Sequence, residues 1–249
     1  MNAPHVLIVA GSDSSGGAGI ARDIETVGAF GMRTCLAVTA VTVQTHDAVR
    51  TVETMPPLLV EEQMRAALEA NPVAAIKIGM LAAAETVEAV AAVLRDHPHI
   101  PTVLDPVLAA SSGRALLVPD AIARLKRVLM PLPALVTPNL HELALLAGEE
   151  TAADKDNTIR QGEQLLLAGC QALLLKGGHA AGDEATDILL RPGAAVHRFS
   201  LPKLTVEMRG TGCILSSAVA SLLARGERLE NSVAKAKRFL HHSMSRTGK

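Results

Sequence analysis

The segment Gly210-Thr211-Gly212-Cys213 stands directly before an apolar stretch, residues 214–224, that has the composition of a helix. Glycines at such a point let the backbone turn sharply and aim free amide groups at an anion, and the dipole of the following helix adds positive potential. The segment therefore predicts a phosphate-handling centre. It is equally compatible with a tight helix entry that binds nothing.

Cys213 adds a reactive group to this centre. A thiol at a helix N-terminus is expected to have a lowered pKa, which makes Cys213 a candidate general base for the hydroxyl group of a substrate. The alternative is a small buried cysteine without a chemical role.

Two acids and one lysine each follow a strand-like run. Asp105 and Glu142 are predicted to hold Mg²⁺ directly or through water, because that ion prefers oxygen ligands. Lys176 precedes two glycines, which offers a mobile cation and unhindered backbone to a phosphate. The alternatives are a turn cap at Asp105, a completed first helical turn at Glu142, and a lysine that leaves its strand into solvent.

The elements that must position these residues follow from the hydrophobic pattern. Short aliphatic runs alternate with amphipathic segments, as expected for strands buried on both faces of a parallel sheet. This pattern predicts a single α/β domain over residues 1–249, with a central, mostly parallel sheet between two layers of helices. The predicted strands are residues 5–10, 35–43, 74–78, 102–105, 134–137, 172–176, 187–190 and 195–199, and the predicted helices include 60–70, 86–95, 120–129 and 214–224.

Polar or glycine-rich segments follow six of the predicted strands. In open α/β sheets ligands bind beyond the carboxyl ends of the strands, so these segments predict one shared site. The first of them, residues 11–19, fits neither the dinucleotide-binding fingerprint nor the P-loop pattern. The six segments are residues 11–19, 44–45, 79–80, 105–106, 137–142 and 176–179.

Composition favours a small ligand over a macromolecular partner. The 24 basic and 25 acidic residues nearly cancel and are scattered, so no basic surface for nucleic acid or membrane is expected. Phe30, Phe199 and Phe239 are the only aromatic residues, which argues against recognition by base stacking. A content of 49% hydrophobic and 20% charged residues excludes disorder, and no apolar run is long enough to predict a membrane span.

The cysteines and the N-terminus predict a cytoplasmic protein. Cys35, Cys170 and Cys213 are an odd number without paired metal-ligand spacing, which is typical of reduced thiols. Residues 1–4 lead directly into a strand-like run and lack the features of a signal peptide.

The ordered motifs resemble those of the ribokinase-like kinases and, within them, the hydroxymethylpyrimidine and phosphomethylpyrimidine kinases of thiamine biosynthesis. The resemblance spans nearly the whole chain. It implies a ribokinase-like fold and the transfer of a phosphoryl group from ATP to 4-amino-5-hydroxymethyl-2-methylpyrimidine, and then to its monophosphate. Its motifs are residues 10–20 with Asp23, 37–40 with Gln44, 79–81, 105–107, 137–140 with Glu142, 176–179 and 210–213.

At the substrate end, the resemblance implies contacts from Gly11, Asp23, Gln44, Met80 and Val107. The amide of Gln44 offers donors and an acceptor that can pair with an aminopyrimidine edge, and similar pyridoxal kinases tend to lack this glutamine. Asp23 is expected to join it, while Met80 and Val107 supply apolar walls. A glutamine at the end of a strand is otherwise usually a surface polar group.

At the phosphate end, the resemblance implies that Gly210, Thr211 and Gly212 form the anion hole and that Cys213 is the catalytic base. It also implies ATP contacts from Lys176, Thr211 and Lys237, Mg²⁺ near Asp105 and Glu142, and a homodimer. Two alternatives remain. One is a pyridoxal kinase on the same fold, and the other is a ligand-binding protein derived from a kinase.

Three departures from the family pattern concern the second transfer. Ser111 stands where the family often has lysine, Met208-Arg209 replaces the usual Thr-His pair, and the sequence ends at Lys249 without the tail that many members carry. A phosphorylated substrate needs cationic partners. Whether the second phosphorylation occurs is therefore expected to depend on Ser111 and Arg209.

Overall fold

A computed structural model describes residues 4–109, 116–178, 182–206 and 208–247. Its centre is a nine-stranded sheet in the order β3-β2-β1-β4-β5-β6-β7-β8-β9. The six strands from β2 to β7 in that order pair in parallel, while β3, β8 and β9 each pair antiparallel with a neighbour. The strands are β1 His5–Asp13, β2 Arg33–Gln44, β3 Val49–Thr54, β4 Val73–Ile78, β5 Thr102–Leu104, β6 Leu135–Val136, β7 Leu173–Leu175, β8 Glu184–Leu190 and β9 His197–Pro202.

Helices cover both faces of this sheet, which confirms the predicted three-layer α/β fold. Alternate residues of β1 point to opposite faces: Leu7 and Val9 belong to one aliphatic core, and Val6 and Ile8 belong to the other. The helices are α1 Gly19–Ala29, α2 Pro57–Ala70, α3 Ala84–Asp96, α4 Pro119–Arg124, a π-helical turn Leu125–Leu129, α5 Leu140–Ala147, α6 Lys155–Leu167, α7 Thr211–Ala224 and α8 Leu229–Thr247.

Each face has its own set of helices. Val60 of α2, Val87 of α3 and Leu165 of α6 lie in the first core, whereas Val27 of α1 and Val219 of α7 lie in the second. Burying a side chain of this size stabilises the fold by about 1.5–3 kcal/mol, so the two cores stabilise the sheet whose carboxyl edge carries the predicted site. Within the described ranges, no helix combines the length and apolarity needed to cross a membrane.

The predicted strands all overlap observed ones, but two elements differ from the sequence prediction. β3 was not predicted, because its sequence Val-Arg-Thr-Val-Glu-Thr is partly exposed at the edge of the sheet and lacks an aliphatic run. The predicted helix 120–129 is α-helical only at its start. Its second half is the π-helical turn, where Met130 N–H donates to Leu125 O at 2.9 Å.

The carboxyl edge of the sheet is extended by backbone hydrogen bonds between the segments that follow the strands. Gly79 N–H donates to Val9 O at 2.9 Å, and Asp105 N–H donates to Ile78 O at 2.8 Å. Thr137 N–H donates to Leu104 O at 2.9 Å, and Lys176 N–H donates to Pro138 O at 2.9 Å. These four hydrogen bonds follow one another along the edge from β1 to β7. The residues predicted to do the chemistry therefore have backbones that are fixed by hydrogen bonds at one edge of the sheet.

Candidate active site

The N-terminus of α7 is built around two glycines. Gly210 is the N-cap with φ 72°, and a Cβ there would lie 2.6 Å from Gly17 O, so only glycine fits. A Cβ at Gly212 would lie 3.1 Å from Asp105 Oδ2 and 3.2 Å from Lys176 Nζ. The first-turn amides, which have no acceptor within the helix, therefore lie beside a charged pair.

Lys176 faces the two predicted metal ligands. Its Nζ donates to Asp105 Oδ1 at 2.6 Å and lies 3.7 Å from Glu142 Oε2, and Thr137 Oγ1 also donates to Asp105 Oδ1 at 3.2 Å. Burial alone would lower the pKa of Lys176. The negative charges of Asp105 and Glu142 raise this pKa by more than burial lowers it, so the net shift is upward and the ammonium stays charged. The alternative of a lysine that points into solvent is wrong.

Glu142 has a structural role as well as a position at the site. Its Oε2 accepts from Asn139 N–H at 2.7 Å, and Asn139 Oδ1 accepts from Glu142 N–H at 2.9 Å, which forms a capping box on α5. Burial raises the pKa of Glu142 to about 7, an effect that Lys176 offsets in part and Asp105 reinforces. The predicted cap is thus present, and a metal role for Glu142 stays a prediction.

The environment of Cys213 corrects one prediction. Burial raises the pKa of its thiol to about 11, although the nearby charge of Lys77 and a hydrogen bond from Gly19 N–H both favour the thiolate. The charges of Asp23 and Asp105 act in the same direction as burial. The predicted lowering of this pKa is wrong, because desolvation, reinforced by the two carboxylates, outweighs the charge of Lys77 and the hydrogen bond from Gly19 N–H.

A buried ion pair, missed by the sequence analysis, lies beneath this part of the site. Lys77 of β4 and Asp23 of α1 are both fully buried, with Nζ and Oδ2 2.8 Å apart, and Ser217 of α7 donates to Asp23 Oδ1 at 2.8 Å. The charge of Asp23 helps to raise the pKa of Lys77 despite the opposing effect of burial. A lysine inside the otherwise aliphatic strand 73–78 was the available signal, since a charge buried there requires a counter-ion.

The same ion pair corrects the expectation for Asp23. Both of its carboxylate oxygens are engaged by neighbouring side chains, and the residue has no exposed surface. It therefore joins α1, β4 and α7 and does not face the substrate end.

The other substrate-end residues lie at the ends of β1, β2, β4 and β5. A Cβ at Gly11 would lie 3.2 Å from Met80 Sδ, and Thr39 Oγ1 fixes the Met80 backbone by donating to its carbonyl oxygen at 2.6 Å. Val107 is half-buried and lines a small cavity. Gln44 Nε2 donates to the carboxylate of Asp13 at the end of β1.

Lys237 lies near the phosphate end but is already paired. Its Nζ donates to Asp187 Oδ2 at 2.7 Å, and Asp187 Oδ1 accepts from Gly177 N–H at 3.0 Å. Lys237 is buried and supports the glycine turn after Lys176 through Asp187. Its direct contact with ATP stays a prediction.

Two of the three departures, Ser111 and Arg209, have different outcomes. Ser111 lies outside the described residues. Arg209 extends toward the substrate end, where its guanidinium contacts Asp13 and the carbonyl of Thr45. The positive charge that replaces the usual histidine therefore lies at the substrate end of the site.

A helix N-terminus, a half-buried lysine and two carboxylates at the carboxyl edge of one sheet are suited to phosphoryl transfer. Solved structures with this fold place the chain in the class of ribokinase-like small-molecule kinases. The solved phosphomethylpyrimidine kinase from Clostridium difficile 630 has a TM-score of 0.84 and 34% identity, covering 96% of this chain and 99% of that one. The pyridoxal kinase from Staphylococcus aureus in complex with ADP has a TM-score of 0.89 and 27% identity, covering 98% and 89%.

The sequence comparisons narrow this class to one family. Residues 13–249 match the family described as phosphomethylpyrimidine kinase. The hydroxymethylpyrimidine/phosphomethylpyrimidine kinase of Rhizobium meliloti (strain 1021) is 43% identical over 242 residues, which cover 96% of this chain and 90% of that protein. The chain belongs to the phosphomethylpyrimidine kinase family, which confirms the predicted resemblance and the prediction of a kinase.

Proposed function

We propose that this protein transfers a phosphoryl group from ATP to the hydroxymethyl group of 4-amino-5-hydroxymethyl-2-methylpyrimidine and then to the resulting monophosphate. The observation that carries the proposal is the placement of the α7 N-terminus, with Cys213 in its first turn, against Lys176 and Asp105. Family membership supports the same reaction.

The phosphate end would act mainly by positioning and charge stabilisation. The amides of Thr211, Gly212 and Cys213 belong to the first turn of α7, where N–H groups point out of the helix N-terminus and can bind the oxygens of the transferred group. Lys176 would add a cation that remains protonated across the physiological pH range. Such fixed donors are worth about 10²–10³ in rate each in comparable sites.

The residues present fit Mg²⁺ held largely through water. Asp105 and Glu142 supply hard oxygen donors, and the absence of a side chain at Gly212 keeps open the space beside Asp105 Oδ2. Among the described residues no group of three or more acidic, His or Cys side chains forms a complete metal cage, so the phosphates of ATP would supply further ligands. Bound there, the ion would neutralise charge on the phosphates.

Cys213 is proposed as the base for the first transfer. Cys213 lies in the first turn of α7, close enough to Lys77 to feel its charge, and the alcohol must lose a proton as it attacks. The acceptor in the second transfer is a phosphate oxygen, which has a second pKa near 6 and is largely ionised at neutral pH. The second transfer would therefore require the amides and Lys176 but little help from the thiol.

Pyridoxal is the second candidate substrate, because pyridoxal kinases share the fold at 27% identity. Gln44 favours the pyrimidine, since its amide lies at the end of β2 with an oxygen able to accept from an amino group. Relatives named hydroxymethylpyrimidine/phosphomethylpyrimidine kinase at 43% and 38% identity support the same choice.

A reduced, cytoplasmic setting and a homodimer complete the proposal. The three cysteines are free thiols, which suits a reducing compartment.

Val41 and Val43 of β2 are exposed on one face of the edge hairpin, and an apolar sheet surface of this kind could be covered by a second copy of the chain. Light scattering of the purified protein tests the dimer, and a mass of one chain at micromolar concentration would contradict it.

The decisive experiment is a turnover assay that separates the monophosphate from the diphosphate. Purified protein is incubated with Mg-ATP and, separately, with the pyrimidine alcohol, its monophosphate and pyridoxal. Product from both pyrimidines and little from pyridoxal is expected. A strong preference for pyridoxal would overturn the substrate assignment, and no product from any of the three would overturn the proposed activity.

A further inference from the structure

Arg209 connects the phosphate end of the site to its substrate end. It immediately precedes the N-cap of α7, and its Nη1 donates to Ser15 Oγ at 3.0 Å and to Thr45 O at 3.1 Å. Its Nη2 donates to Asp13 Oδ2 at 3.3 Å. One guanidinium thus ties together the start of α7, the loop after β1 and the turn between β2 and β3.

Asp13 is shared between Arg209 and Gln44. The same oxygen, Asp13 Oδ2, accepts from Gln44 Nε2 at 3.2 Å. Because an ionised carboxylate can only accept, the nitrogen of the amide must face Asp13 and its oxygen must face away. The orientation of the Gln44 amide is therefore set by the Asp13 carboxylate, which Ser15 holds at Oδ1 and Arg209 holds at Oδ2, the oxygen that faces Gln44.

The oxygen of that amide remains able to bind a ligand. Its protein contact is the Thr42 hydroxyl at 3.5 Å, but that hydroxyl has one hydrogen and donates it to Ser12 O at 2.8 Å. A contact of 3.5 Å is a weak hydrogen bond at most. Gln44 Oε1 can therefore accept from an amino group on a substrate ring.

We propose that Arg209 is a positioning residue for substrate recognition: by anchoring Asp13 it fixes the Gln44 amide with its oxygen presented to a ring amino group. The inference rests on the proposed function and extends it to a residue where this chain departs from its family. The side chain of Asp13 is 5% exposed, so loss of the guanidinium leaves a buried carboxylate without a cationic partner. Water would then compete for Asp13 Oδ2, the oxygen that the Gln44 amide contacts, while Oδ1 would stay bonded to the N–H and Oγ of Ser15.

The geometry favours this role over direct binding of a substrate phosphate. The two Nη atoms of Arg209 are already directed at protein acceptors on Ser15, Thr45 and Asp13. The planar, forked guanidinium can reach several segments at once, which a lysine ammonium does less well. Arg209 therefore acts on the substrate through Gln44.

A double-mutant cycle between Arg209 and Gln44 tests the proposal. The variants Arg209→Ala, Gln44→Leu and the double variant are compared by steady-state kinetics and by calorimetric titration with the pyrimidine alcohol. Arg209→Ala is expected to raise KM and Kd for the alcohol about 10- to 100-fold, the range of a lost charge-assisted contact, with kcat and the KM for ATP within about threefold. In the Gln44→Leu background the same change should cost at most about threefold, because the group being positioned is gone.

Two further variants separate positioning from folding. Arg209→Lys keeps the charge but not the fork, and it should fall between wild type and Arg209→Ala. Arg124→Ala is the matched control, since Arg124 forms surface ion pairs with Glu88 and Asp120, and it should leave all constants unchanged.

The outcomes distinguish this inference from the proposed function. Equal losses from Arg209→Ala in both Gln44 backgrounds would overturn it, as would a loss confined to the monophosphate, which would indicate direct phosphate contact. Failure of the wild-type protein to turn over any substrate would overturn the proposed function. The coupling would then be read from the Kd values alone, and wild-type protein that does not bind the pyrimidine would overturn the inference as well.

Discussion

Replacing Cys213 with alanine should separate the two phosphoryl transfers. The alcohol must give up a proton in the first transfer, and a positioned base typically contributes about 10²–10⁴ in rate. We therefore expect Cys213→Ala to lower kcat for the alcohol by up to that factor, with the full effect at alkaline pH, where more of the thiol is ionised. For the monophosphate, whose acceptor oxygen is already ionised near neutral pH, we expect a loss of less than about tenfold.

The raised pKa of the thiol gives this prediction a pH dependence. With a pKa of about 11, only about one thiol in 10⁴ is ionised at pH 7, and this fraction grows about tenfold with each pH unit. Because the thiolate is the active form, kcat/KM for the alcohol should rise with pH. Glu142, with a pKa of about 7, is largely ionised above pH 8, so the slope is best measured between pH 8 and 10.

The assay supplies each substrate separately with excess Mg-ATP and quantifies both products after chromatographic separation. Cys35→Ala is the matched control, because burial also raises the pKa of this half-buried thiol to about 11 while it lies on β2, away from α7. Equal losses in both transfers would contradict the role of Cys213 as base. So would a pH slope for the alcohol that persists in Cys213→Ala.

Three further predictions concern the groups around the thiol. Glu142→Gln should gain stability relative to wild type as pH rises from about 4.5 to about 7, by up to about 3 kcal/mol. The reason is that the raised pKa of Glu142 means that folding disfavours its ionised form, a cost that the glutamine does not have. Chemical unfolding of both proteins at pH 4 and pH 8 measures this difference in the free energy of unfolding. Gly212→Ala should fold normally but lose most ATP binding, since its Cβ would contact only the tips of two charged side chains. Gly28→Ala in α1, whose Cβ would approach no described atom within 4 Å, is the control and should bind ATP normally in calorimetric titration. Lys77→Met should lower the free energy of unfolding by about 3–5 kcal/mol, because it leaves the buried Asp23 carboxylate without its cation. Adding Asp23→Leu should recover most of this lost stability. A double variant no more stable than Lys77→Met would contradict the prediction.

The sheet was predictable because its central strands are buried on both faces and therefore appear as aliphatic runs. β3 was not, since an edge strand with one solvated face carries polar residues such as Arg50 and Glu53. The turn from helix to π-helix at Leu125 leaves no mark in the hydrophobic pattern, because both forms can place the same leucines on the core side.

The candidate site was predictable as a set of positions but less so as a set of interactions. Topology alone places Asp105, Lys176 and Cys213 at one edge, since each follows a parallel strand or starts a helix there. Their pairing depends on distances that spacing does not encode. Asp23 was assigned to the substrate because the sequence does not show that Lys77, 54 positions away, lies 2.8 Å from it.

Both phosphoryl transfers are proposed to use the same phosphate end, and this affects where the pyrimidine ring can lie at the substrate end. If the α7 amides and Lys176 hold the transferred group at the same place in both reactions, the pyrimidine ring must lie farther from it when a phosphate intervenes. Gln44 stands at the end of β2 in a network fixed by Asp13 and Arg209, so it cannot follow the ring without breaking those contacts. The alcohol should therefore depend on Gln44 more than the monophosphate does. Recognition and base catalysis would then both serve chiefly the first transfer, while the amides and Lys176 serve both.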